Sequence, residues 1–147
     1  MIIVVDAMGG DNAPNDIVKG CIDAASEQEG FNILLLGDGE KIEKILKINK
    51  YDKNRISIKN TTEIIGNDDI PTKAIKTKKD SSMVVGLNML KHKKGDIFIS
   101  AGNTGALMAG STLILGRISG IDRPALAPVL PTKKGGALLI DAGFNTI

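Results

Sequence analysis

Three short apolar runs in this chain, Ile2–Val5, Ile97–Ile99 and Ala137–Ile140, each give way to an Asp or Ser and then to glycine. The continuations read Asp6-Ala7-Met8-Gly9-Gly10-Asp11-Asn12, Ser100-Ala101-Gly102-Asn103-Thr104-Gly105-Ala106 and Asp141-Ala142-Gly143. Apolar runs that end in polar residues and flexible backbone suit strands of an open parallel sheet, whose ligands bind beyond the carboxyl ends of the strands. Glycine lets a backbone turn sharply and approach a ligand closely. The second continuation opens into a helix-forming segment, and a helix start offers unpaired N–H groups and a positive dipole end, so it outlines an anion site. An ordinary tight strand-to-helix connection has the same composition, and both readings stand at this point.

Between these runs, strand and helix patterns alternate. Pro14 suits a first helical turn, and Ile17, Val18, Cys21, Ile22 and Ala25 recur at helical spacing up to Gly30. Phe31–Leu36 predicts a second strand, and Ile42, Ile45 and Leu46 mark a second helix. A third strand is expected over Arg55–Lys59, a short extended piece over Thr61–Ile65, and a polar loop over Gly66–Asp69. Pro71 opens a short helix carrying Lys73, Lys76, Lys78 and Lys79, and Asp80 or Ser81 caps another with Met83, Leu87 and Leu90 on one face. A long helix is expected to follow the Ser100–Asn103 loop as far as Ile118, and its part from Thr104 to Leu115, apolar nearly all round, is expected to be covered by the sheet core or a subunit interface. Pro124, Pro128 and Pro131 bracket an extended segment near a sheet edge or bend. The pattern predicts a layered, Rossmann-like α/β fold, with a mostly parallel sheet and helices on both faces, over residues 1–147 as one domain.

Composition narrows the function classes. A net charge of +2, with one Tyr and no Trp, argues against nucleic acid. A single cysteine excludes a disulfide framework and suits a reducing cytoplasm. No basic stretch precedes the first apolar run, so no signal peptide is expected, and the apolar segment from Ala101 to Leu115 is shorter than the roughly 20 residues of a membrane span. Cys21 sits at an apolar helix position and reads as core rather than nucleophile. His92, in Lys91-His92-Lys93-Lys94, fits the end of a helix. One His and one Cys leave zinc without ligands, whereas Asp6, Asp11 and Asp141 suit a metal or ordinary turn and cap roles.

Several segments carry a further signal. Val5-Asp6-Ala7-Met8-Gly9-Gly10-Asp11 resembles the opening signature of the acyl-acyl carrier protein:phosphate acyltransferases of phospholipid synthesis. Lys78-Lys79-Asp80-Ser81-Ser82-Met83, Ser100–Ala106, Gly120-Ile121-Asp122-Arg123-Pro124-Ala125-Leu126-Ala127 and Pro131-Thr132 resemble later motifs of that family, in order and in register to about residue 143. The resemblance implies transfer of a fatty acyl chain from acyl carrier protein to inorganic phosphate, a fold akin to isocitrate dehydrogenases and phosphotransacetylases, and a cytoplasmic homodimer. It implies no cofactor. It also implies a longer second half, with peripheral membrane association in full-length relatives, where this chain instead reads Phe144-Asn145-Thr146-Ile147.

The implied chemistry is economical. Phosphate is already a nucleophile at neutral pH, so the protein has to orient it and offset charge. Asp6, Gly9, Gly10, Asp11, Ser81, Ser82, Gly102, Thr104, Gly105 and Arg123 are the candidate contacts to phosphate or acyl carrier. Ser81 and Ser82 suit phosphate binding or simple capping, and the lysines before them a solvated face or docking to acidic acyl carrier protein. Arg123, beside Pro124, has the fork that matches phosphate oxygens. Asn103 is the candidate catalytic residue, since a fixed amide donor to a developing oxyanion is worth on the order of 3 kcal/mol. Two alternatives remain: a nicotinamide-dependent dehydrogenase, disfavoured because Gly9-Gly10-Asp11-Asn12 lacks the spaced dinucleotide fingerprint, and a non-catalytic piece that only dimerises or docks acyl carrier protein.

Overall fold

The computed structural model of the protein describes residues 1–122, 124–125 and 127–139. They form two compact units divided after Gly116. The first holds four parallel strands, β1 (Ile2–Asp6), β2 (Asn32–Gly37), β3 (Ile56–Asn60) and β4 (Ile97–Ile99), in the order β3-β2-β1-β4. Four helices connect them, α1 (Asn15–Glu27), α2 (Gly39–Lys47), α3 (Pro71–Thr77) and α4 (Ser82–Lys91), and a fifth, α5 (Thr104–Gly110), follows β4. β1 lies inside the sheet, pairing Val4 with Leu34 on one side and Phe98 on the other. An inner parallel strand is buried on both faces, which is why Ile2–Val5 is apolar without alternation.

Each face of the sheet carries its own core. On one, Val5, Ile33, Leu35 and Ile56 pack with Val18, Cys21 and Ile22 of α1 and Ile42, Ile45 and Leu46 of α2. On the other, Ile75, Met83, Val84, Leu87 and Ala106 join α3, α4 and α5 around Phe98. This is the layered α/β architecture that the alternating pattern predicts, with strand boundaries shifted by one residue. Arg55 pins the amino edge by donating to the Phe31 carbonyl at 3.0 and 3.3 Å and to the Ala25 carbonyl.

The α4 contact with β4 depends on a missing side chain. A Cβ at Gly86 would stand 2.2 Å from the Phe98 ring. Gly86→Ala should gain about 1 kcal/mol of helix propensity and lose about 2 kcal/mol to overpacking. A net loss near 1 kcal/mol is expected in urea denaturation, and a stabilised variant would show that the ring moves aside freely.

The helix after Asn103 departs from expectation. It is α-helical only to Gly110, widens into a π turn over Ser111–Leu115, and stops at Gly116 instead of Ile118. Gly116 has φ +90°, open to glycine, and its N–H returns to the Ser111 carbonyl at 3.1 Å. Within the single chain the helix is covered on one side. Its small residues bury one side, where Gly110 abuts Leu87 and Ile75, while Leu113 stays 56% exposed. Small residues allow close approach on one face only, so the apolar residues between them are left outside.

In the second unit, Val129–Thr132 (β5) and Gly135–Leu138 (β6) form an antiparallel hairpin. The third apolar run was expected to join the parallel sheet. Among the described residues it contributes to this hairpin instead, through a turn at Lys133-Lys134 that Gly135 closes with φ +122°. Asp141 and Gly143 lie outside the described residues.

Candidate functional site

The loops after β1 and β4 meet at the carboxyl edge of the sheet. Asp6, 3% exposed, accepts from the Met8 N–H at 3.1 Å through Oδ1 and from the Ser100 hydroxyl at 2.8 Å through Oδ2. Ser100 in turn accepts from the Gly102 N–H at 3.1 Å. Gly9 closes over this relay. A Cβ there would lie 2.7 Å from Asp6 Oδ2, 2.8 Å from Gly102 N and 2.9 Å from Ser100 Oγ. Gly10, at φ +114°, makes the bend that brings Gly9 in. Adjacent parallel strands end at one level, so pairing of Val5 with Ile99 places Asp6 beside Ser100.

A third loop joins from between β3 and α3. Asn103 caps α5, its Oδ1 accepting from the Ala106 N–H at 2.9 Å. Its amide Nδ2 faces three carbonyls, of Gly66, Asn67 and Asp69, at 3.1 to 3.2 Å. Asn67 reaches Asp11 at 3.4 Å, so the Gly66–Asp69 loop touches both glycine loops. Thr104 is exposed at the start of α5. Gly105 serves packing, because a Cβ would meet Pro71 Cγ at 2.8 Å.

Ser81 and Ser82 open α4 at the same edge. Ser81 is fully buried and caps the helix, accepting from the Val84 N–H at 3.3 Å and donating to the Lys78 carbonyl at 2.8 Å. Its bridge to Glu63 ties this turn to the chain leading into the Gly66–Asp69 loop. Lys78, read from sequence as part of a free basic run, instead bonds Asp69 and the Ile64 carbonyl. Lys79 turns back to the Ile75 carbonyl, and Lys73 and Lys76 remain exposed on α3. Arg123 lies outside the described residues.

Two carboxyls fasten this edge. Hydrogen bonding from Lys78, then from the Gly66 N–H, holds Asp69 below its ordinary value of 3.8. The Thr62 hydroxyl and N–H do the same for Asp80. A depressed folded-state pKa stabilises the fold above the unfolded value, and that contribution disappears as pH falls through the folded one. Amide exchange across residues 62–69 should therefore accelerate below about pH 4 before the β1 and β2 amides respond. Simultaneous loss of protection would contradict a local fastening.

Comparison with known proteins bears on this geometry. Residues 1–146 match the family model described as fatty acid synthesis protein. This chain belongs to that family. It is 63% identical over its whole length to a protein of Acetivibrio thermocellus named phosphate acyltransferase. Proteins of the same name from Thermoanaerobacter pseudethanolicus and Clostridium tetani are each 50% identical over 99% of the chain. The chain spans 43% of the length of each of these relatives.

Within this member of the fatty acid synthesis protein family, Cys21 lies in the core beneath α1, as its place on the apolar helix face predicts. Burial pushes the Cys21 thiol up to about 11. No cluster of three or more His, Cys, Asp or Glu occurs among the described residues, and no described helix is long and apolar enough to cross a membrane. Sequence reasoning overlooked Lys78, Asp69 and Asn67 as parts of the site. Asp69, three residues after Gly66, was readable as a turn former, but its partner was not.

Proposed function

We propose that this chain carries the phosphate-holding edge of a phosphate acyltransferase, which moves a fatty acyl group from acyl-acyl carrier protein to inorganic phosphate. The observation that carries the reading is the meeting of the Gly9-Gly10 and Gly102 loops over the buried Asp6–Ser100 pair. The names of the relatives support it. A phosphate oxygen attacks the thioester carbonyl, the carbon–oxygen bond forms, the carbon–sulfur bond breaks, and the carrier thiolate takes the phosphate proton. Backbone held by fixed glycine loops suits an anion because it needs no reorganisation when charge develops.

In this proposal Gly9, Gly10, Gly102 and Thr104 border the phosphate, and Asp6 and Asp11 orient the loops. Ser81 and Ser82 present the start of α4, and Arg123 adds its fork to the phosphate or the carrier's prosthetic arm. Asn103 donates to the reacting carbonyl, which requires the Gly66–Asp69 loop to release its amide. The functional form is a cytoplasmic homodimer, and exposed Lys73 and Lys76 meet the acidic carrier. The test is thiol release from acyl-acyl carrier protein by the purified chain, against phosphate and against a nicotinamide cofactor. Phosphate-dependent release supports the proposal. Cofactor-dependent oxidation would replace it with a dehydrogenase, and carrier binding without release would reduce the chain to a docking piece.

A further inference from the structure

We infer that Ser100 is a positioning residue of the anion site, a role that rests on the reading of the glycine loops as a phosphate cradle. A serine hydroxyl has one proton to give and lone pairs to accept with, and here both capacities are engaged. Ser100 gives its proton to Asp6 Oδ2 at 2.8 Å and takes the Gly102 N–H at 3.1 Å. The other oxygen of the same carboxyl holds the Met8 N–H. One buried group thus grips the start of the β1 loop directly and the β4 loop through Ser100.

The grip sets the spacing of the two glycine loops. Gly102 N, Ser100 Oγ and Asp6 Oδ2 all lie within 3.0 Å of where a Gly9 Cβ would be, so the β1 loop rests on the relay itself. Removing the hydroxyl leaves Gly102 without its acceptor and Asp6 without one of its donors. The Cα positions need not change much for the loops to lose their common geometry. Ser100 has no other hydrogen-bond partner among the described residues, and it is only half-buried, so its hydroxyl matters more to loop spacing than to the core.

The experiment is a titration of the 147-residue chain with inorganic phosphate, followed through the amide resonances of Gly9, Gly10 and Gly102, for the parent, Ser100→Ala and Ser100→Thr, with melting temperatures recorded for each. Phosphate should shift the three amides together in the parent. Ser100→Ala should bind about tenfold more weakly, the equivalent of one hydrogen bond, with a melting temperature lowered by only a few degrees because Asp6 keeps the Met8 N–H. Ser100→Thr keeps an oxygen in place and should restore affinity to within a few-fold. Equal affinity in the parent and Ser100→Ala would overturn the positioning role while leaving the cradle. A folded Ser100→Thr that fails to rescue, or a Ser100→Ala that melts far lower, would also overturn it, the latter making Ser100 a determinant of the fold. A parent that binds no phosphate would remove the cradle and this role with it.

Discussion

Replacing Asn103 by aspartate should destabilise the fold more than replacing it by alanine, although aspartate caps helices as well as asparagine does. The reason lies in the other half of the side chain. Asn103 is 9% exposed, and its Nδ2 serves the carbonyls of Gly66, Asn67 and Asp69 while Oδ1 caps α5. Asn103→Asp keeps the cap but turns an oxygen toward three oxygens. Lost donation and a poorly solvated charge together should cost about 4 kcal/mol. In a chain of this size that is roughly a 10 °C fall in melting temperature. Asn103→Ala loses the cap, worth about 1 kcal/mol, and lets water reach the carbonyls, for a total near 2 kcal/mol. Lowering the pH should narrow the gap, because a protonated carboxyl regains one donor. Urea denaturation at pH 7 and pH 4 decides the matter, and an aspartate variant within 1 kcal/mol of the parent would show that the loop contacts are dispensable.

Gly9→Ala should be the second large effect, about 3 kcal/mol, at the upper end of overpacking costs. The three atoms that an added Cβ would meet are a backbone nitrogen and two side-chain oxygens hydrogen-bonded to each other, so none swings away as a free side chain would. Relief requires the β1 and β4 loops to part, and phosphate binding should vanish along with the stability. Gly20→Ala is the control. Nothing lies within 4 Å of its Cβ position on the exposed side of α1, and it should stabilise by up to about 1 kcal/mol. Thermal melts of both variants should therefore move in opposite directions, and a shared direction would refute the steric account.

Local chemistry was readable from sequence, and distant partnerships were not. Val4 and Leu35 announce inner strands because burial on both faces demands a continuous apolar run. Ser81 announces a helix start because capping involves only the next turn. Asn103 carries the same local signal, yet its amide partners sit 34 to 37 residues upstream, and nothing in its own neighbourhood points to them. Lys78 looked like one of four equivalent solvated lysines until the fold brought Asp69 and the Ile64 carbonyl to it. The π turn at Ser111–Leu115 escaped because its residues satisfy an ordinary helical pattern, and the widening is a choice of backbone bonding.

The sequence separation of 94 between Asp6 and Ser100 has a consequence for the order of events in folding. β2 and β3 follow β1 closely in the chain, whereas β4 can pair with β1 only after the intervening segment has been gathered in. Closing a loop of that length costs on the order of 4 kcal/mol of chain entropy, so contacts of this separation form late and slow the reaction. Half of the proposed phosphate site is thus missing from any nascent chain that ends before β4. On the proposal made above, phosphate has nothing to hold until β4 arrives, so adding it should retard unfolding and leave the rate of folding almost untouched.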